Sequence, residues 1–262
     1  MRPKPAHLAP EYGEQFKDYS MVEAYKYRPP YPDEIFEILD TLITEQPRHV
    51  LDIGCGTGAI ARHLVDKVDR LDAVDFSQNM IEHGKKLPNG DNPHLHWIYG
   101  RVEDVTLEPP YALVTAGASL HWMDWDVVLP RFRELLTPKG YLAIIGHDTL
   151  SKAWHDQLAE IIPQFSTNVK YQPYDLIDEL ETRGLFQKVG EKVTQPVSFV
   201  QSLDDYIESF HSRNGFSREC MKREMAAAFD REAKKILLKE YPDGVMSLQV
   251  VGNVLWGIPK RP

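Results

Sequence analysis

Val50-Leu51-Asp52-Ile53-Gly54-Cys55-Gly56-Thr57-Gly58 decides the reading of this chain. Its apolar opening reads as a buried strand, His49–Ile53, and the glycines after it read as a tight turn. Glycine tolerates left-handed backbone and lets a ligand approach the main chain. Ala59–Val65 then has the pattern of a helix, whose N-terminus adds free N–H groups and positive dipole. A second strand, Leu71–Asp75, ends in an acidic residue about 20 positions on, where such folds hold a ribose diol.

Outward from this unit the order alternates. Ser77–Lys86 reads as a helix capped by Ser77, Leu95–Tyr99 as a third strand, and Leu113–Thr115 as the heart of a fourth. Asp124–Leu136 reads as a helix stopped by a turn at Thr137-Pro138-Lys139-Gly140, with Tyr141–Ile145 a fifth strand. Alternation of this kind implies a parallel sheet covered on both faces. Upstream, Pro32 and Asp33 open a helix with Ile35, Phe36, Ile38, Leu39, Leu42 and Ile43 on one face. The first ten residues hold three prolines and are expected to lie loose. Beyond His147, Lys152–Ile162, Asp175–Arg183, Leu203–Phe210 and Arg218–Leu238 read as helices, and Lys188–Phe199 and Ser247–Ile258 as strands. Met221, Met225, Phe229, Ile236 and Leu237 have the spacing of a lid core.

The expected architecture is α/β, a Rossmann-like, seven-stranded, mostly parallel sheet with helices on both faces and a helical lid. It is read as one domain over residues 1–262, with an N-terminal cap at about 1–45 and lid insertions at about 148–185 and 201–245.

Composition narrows the function. Among 262 residues, 30 Lys and Arg face 39 Asp and Glu, for a net charge of −9. That balance opposes bulk nucleic-acid binding, which wants clustered positive charge. Two cysteines, Cys55 and Cys220, make neither a disulfide framework nor a zinc finger, and the ten histidines show no HExxH spacing, so no metal site is expected. There is no secretory h-region at the N-terminus and no apolar run of membrane-spanning length. A cytoplasmic protein acting on a small molecule, without nucleic-acid or membrane partner and as monomer or homodimer, is the expectation.

The glycine spacing narrows it further. Dinucleotide folds carry GxGxxG; this turn is GxGxG with Asp52 just before it. A pyrophosphate is repelled by that carboxylate, whereas a ligand bearing an ammonium and a sulfonium is not. The residues therefore favour S-adenosylmethionine over a nicotinamide cofactor.

On these residues the sequence resembles the class I S-adenosylmethionine-dependent methyltransferases, clearly from Tyr25 to Ile145. Val50–Gly58 is similar to the family's first motif, and Ala73–Met80 to its second-strand segment, which implies Asp75 on the ribose and Phe76 or Met80 beside adenine. Gly100-Arg101-Val102-Glu103-Asp104 resembles the adenine-edge segment; with Arg101 where an Asp is common, Val102 and Glu103 take that role. The resemblance also implies Asp52, Gly54, Gly56, Ala116 and Gly117 at the cofactor. Tyr25–Pro32 and Ser119-Leu120-His121-Trp122 resemble the small-molecule branch that includes trans-aconitate methyltransferases. There Tyr25 and Arg28 would lie over the cofactor's methionine end or the acceptor. His121, after the fourth strand, reads equally as a catalytic base for the acceptor and as a histidine closing a helix. The departure is Tyr111, where the fourth strand usually begins with an acid.

The resemblance implies methyl transfer to a carboxylate, hydroxyl, amine or carbon. The same motifs serve cyclisation or elimination within the cofactor, releasing methylthioadenosine, and a nonenzymatic binding module.

Overall fold

The computed structural model describes residues 4–150 and 153–260. Its strands are β1 (His49–Ile53), β2 (Arg70–Asp75), β3 (Leu95–Tyr99), β4 (Tyr111–Gly117), β5 (Leu136–Thr149), β6 (Phe186–Val193), β7 (Val197–Ser202) and β8 (Val245–Pro259). The chain divides into two compact units: residues 31–147, 173–195 and 251–262, and residues 1–30, 148–172 and 196–250.

The first is the sheet unit, in the order β3-β2-β1-β4-β5-β8-β6. The pairs β1–β2, β1–β4, β2–β3 and β4–β5 are parallel, and β6 runs antiparallel to the second half of β8. This is the mostly parallel, Rossmann-like sheet that the alternation implied. Val50, Leu51 and Ile53 are buried on both faces of β1, as a central parallel strand requires. The helix Glu34–Leu42 buries Ile35, Phe36, Ile38, Leu39 and Leu42 in the same core. Chain order reverses between β1 and β4, so the crevice at their carboxyl ends is where a ligand binds in open α/β sheets.

The second unit is mainly helical. Trp154, Leu203, Tyr206, Phe210, Phe229, Leu237 and Leu248 share its core, and β7 pairs antiparallel with the first half of β8. Ser202 caps the helix Leu203–Phe210 by accepting the Asp205 N–H at 3.0 Å.

Several expectations are corrected. Leu8 and His7 are buried rather than loose; Met1–Pro3 lie outside the described residues, as does Lys152, where a helix was expected to start. The expected strand Lys188–Phe199 is two strands, because the Gln195 N–H turns to Glu34 Oε2 at 2.8 Å and Pro196 has no N–H to donate to the ladder. The expected turn at Thr137–Gly140 is extended chain: register jumps from Tyr111↔Leu136 to Leu113↔Tyr141, and the Lys139 N–H is taken by Glu45 Oε2 at 2.6 Å. The long helix starts at Arg223 rather than Arg218. Met225 is exposed, not lid core. Tyr111, where an acid was expected, is buried and donates to Asp72 Oδ2 at 2.5 Å. It starts β4, so this departure lies at the strand end opposite the glycine turn.

Candidate functional site

The glycine turn is held in left-handed backbone, with φ +59° at Gly54, +55° at Gly56 and +75° at Gly58. At Gly54 nothing larger fits, since a Cβ would sit 2.6 Å from the Ser119 Cβ. Ser119 in turn donates to the Ile53 carbonyl at 2.6 Å, and the Cys55 N–H to Val74 at 3.0 Å. The turn is thereby tied to β2 and to the segment after β4.

Asp75 closes one side. Its Oδ2 accepts the Gly56 N–H at 2.7 Å and its Oδ1 the Ser77 N–H at 2.8 Å. These bonds orient both oxygens and leave each a further lone pair. Burial nevertheless raises the pKa to about 6. Asp52, only 1% exposed, accepts from the Thr115 hydroxyl at 2.8 Å through Oδ1, while its buried Oδ2 has no well-formed hydrogen bond. Burial, with the Asp75 charge adding to it, raises its pKa to about 7. One carboxylate oxygen without a partner, on Asp52, and the further lone pairs of Asp75 suit a cationic ligand with hydroxyl groups. Cys55 is buried and its thiol pKa is pushed well up, so it packs rather than attacks.

Around this turn Gly54, Gly56, Phe76, Glu103 and Gly117 keep accessible surface. Met80, 1% exposed, Val102 and Ala116 are closed off in the core, which leaves Phe76 as the open apolar group on that side. Glu103 Oε1 accepts the Asp124 N–H at 3.0 Å, starting the helix Trp125–Leu135. The Arg101 guanidinium lies 5.5 Å from the Phe76 ring centre, a contact that no local sequence pattern signals. Beyond β4, Ala118 takes a left-handed φ of +49°, strained for a non-glycine residue. His121 and Trp122 form a short 3-10 turn, their rings 4.9 Å apart. The Tyr31 ring meets His147 edge-on at 4.8 Å, and its hydroxyl would lie 3.0 Å from a Cβ at Gly117. Tyr31 was missed as a site residue; only its place in the Tyr-Arg-Pro-Pro-Tyr-Pro run signals it.

Tyr25 and Arg28 belong to the helical unit. Arg28 Cζ lies 4.1 Å over the Tyr25 ring, and its Nε donates to Ser212 Oγ at 2.7 Å.

Residues 50–140, from β1 into the start of β5, match the family model described as a methyltransferase domain. These residues form a methyltransferase domain. The chain is 24% identical over 210 residues to malonyl-[acyl-carrier protein] O-methyltransferase of Halalkalibacterium halodurans, covering 75% of this chain and 76% of that one. It is 26% identical over 208 residues to trans-aconitate 2-methyltransferase of Acidovorax ebreus, covering 73% and 76%. Among solved structures, a chain from Anaeromyxobacter dehalogenans provisionally assigned as a type II methyltransferase superposes with TM-score 0.67 at 19% identity, covering 88% of this chain and 97% of that one. That last likeness concerns the fold. Among the described residues no group of His, Cys, Asp and Glu is placed to hold a metal, and no helix is long and apolar enough to cross a membrane.

Proposed function

We propose that this methyltransferase esterifies a small carboxylic acid, with S-adenosylmethionine as methyl donor. The observation that carries the donor assignment is the Asp75 carboxylate, fixed by the Gly56 and Ser77 N–H groups beside an accessible glycine turn. In this reading Asp75 takes the ribose hydroxyls, Gly54 and Gly56 allow close approach, Phe76 covers the adenine, and Glu103 meets its edge. Asp52 supplies negative charge beneath the ligand's cationic end. When bound, the donor presents a methyl group already made electrophilic by its sulfonium.

The acceptor class rests on chemistry. The relatives named for malonyl-[acyl-carrier protein] O-methylation and for trans-aconitate both point to acids. A carboxylate is ionised at neutral pH and needs no general base. The protein's part is then to align the acceptor and exclude water, and His121 and Tyr31 serve as positioning groups. The test is mass spectrometry of products from a panel of mono-, di- and tricarboxylic acids incubated with enzyme and S-adenosylmethionine. Methyl esters formed only with enzyme support the reading; methylation confined to amines, phenols or carbon acids refutes it.

A further inference from the structure

Phe76 and Arg101 both belong to the sheet unit. Phe76 follows Asp75 at the end of β2, and Arg101 stands two residues beyond the end of β3. The Gly100 N–H donates to the Asp75 carbonyl at 2.9 Å, which draws the two strand ends together. The Arg101 side chain then lies along Phe76, with Cζ 5.5 Å from the ring centre.

The backbone that carries Arg101 is fixed. Its carbonyl accepts the Asp104 and Val105 N–H groups at 2.9 and 3.1 Å. Arg131, on the helix Trp125–Leu135, donates to the Glu103 carbonyl at 2.5 Å and to the Val105 carbonyl. Arg101 itself is exposed, so its guanidinium reaches out from a rigid turn.

The two residues that follow it have other engagements. Val102 is 3% exposed, and Glu103 Oε1 holds the Asp124 N–H at 3.0 Å. Of Arg101, Val102 and Glu103, it is Arg101 that lies against the open Phe76 ring.

The residue type decides what this position reads. A carboxylate only accepts hydrogen bonds, as from the exocyclic amine of a base. A guanidinium only donates, and its plane stacks on aromatic faces. A cation beside an aromatic ring gains more when water is excluded. A purine laid against Phe76 excludes that water and offers the guanidinium a second π-face.

We propose that Arg101 binds the cofactor's purine: the base lies against Phe76 and the guanidinium stacks on it, so that this position contributes affinity through the face of the base and not through its exocyclic amine. This deepens the reading above and rests on it for the placement of the base at Phe76.

The test is calorimetric titration of the full chain with S-adenosylmethionine, S-adenosylhomocysteine and adenosine, the last by competition with S-adenosylhomocysteine. Adenosine isolates the base and ribose from the amino-acid end. Arg101→Gln raises Kd by about fivefold for all three alike. Arg101→Lys, which keeps the charge and loses the plane, recovers only part. In a Phe76→Leu background the Arg101→Gln effect falls below about twofold, because the two residues act together. Thermal melts confirm that each variant is folded.

Unchanged adenosine binding by Arg101→Gln overturns the proposal. So does a gain in S-adenosylmethionine affinity relative to S-adenosylhomocysteine, which would put the guanidinium beside the sulfonium, across the ribose from the base. A full-sized Arg101 effect in the Phe76→Leu background also overturns it. Failure of the wild type to bind any of the three overturns the donor reading and this proposal with it. Wild-type binding that Arg101→Gln leaves intact overturns this proposal alone.

Discussion

The Asp75 carboxylate accepts the backbone N–H of Gly56 at 2.7 Å, joining the end of β2 to the turn after β1. One side chain thus shapes the turn and keeps a further lone pair on each oxygen. Asp75→Ala removes both functions and is expected to weaken S-adenosylmethionine binding by about 1.5–3 kcal/mol, the scale of charge-assisted hydrogen bonds. Calorimetric titration of a folded variant checks this; an unchanged dissociation constant would place the ribose elsewhere.

Gly54 tests close packing under the ligand. With φ +59° and only 2.6 Å from a built Cβ to the Ser119 Cβ, Gly54→Ala pays both backbone and steric costs. We expect a loss of about 2 kcal/mol or more in denaturant unfolding, together with weakened cofactor binding. Gly56→Val, at φ +55°, is expected to abolish binding while leaving much of the fold. Normal binding by the Gly56 variant would remove the turn from the site.

The raised carboxylate pKa values fix a pH dependence. Asp52 and Asp75 titrate near 7 and 6 in the fold against 3.8 unfolded, so between these limits the folded state holds more protons. Stability without cofactor is expected to fall as pH rises from about 4 to 7, by on the order of 3 kcal/mol for Asp75 alone. Asp52→Asn keeps the Thr115 bond and removes the charge. It should raise the melting temperature at pH 8 by several degrees and flatten the profile. A variant melting in parallel with wild type at every pH would show that Asp52 is not strained by burial.

How far the sequence reaches depends on how local the determinant is. Asp52, Gly54, Gly56 and Asp75 come from two adjoining strands and their turns, so their partnership is legible in one short stretch. β1, β3 and the helix Leu203–Phe210 have the predicted bounds because apolar periodicity and flanking signals coincide there. The break at Pro196 was written in the sequence, but alternation on either side hid it. Register could not be read, so the extended bulge at Thr137–Gly140 looked like a turn. Arg28 and Ser212 stand far apart in the chain, and only folding brings them into contact. The closure of Met80 behind Phe76 likewise depends on packing.

His121 discriminates between acceptor classes. If the acceptor is a carboxylate, His121→Gln should lower kcat less than about tenfold and leave its pH profile without a new limb, because no proton is removed. A general base contributes about 100-fold or more. A loss of that size with a shifted acid limb would assign His121 to proton abstraction from a weaker nucleophile.

The central claim is transfer of the methyl group to a separate acid. The most direct measurement separates the nucleosides formed from S-adenosylmethionine by the pure protein, with and without the carboxylic acid panel. The account predicts S-adenosylhomocysteine that appears only when an acid is added, matched by its methyl ester. Enzyme-dependent methylthioadenosine without any acceptor, above the spontaneous background, would contradict it and assign the site to cleavage or cyclisation of the cofactor.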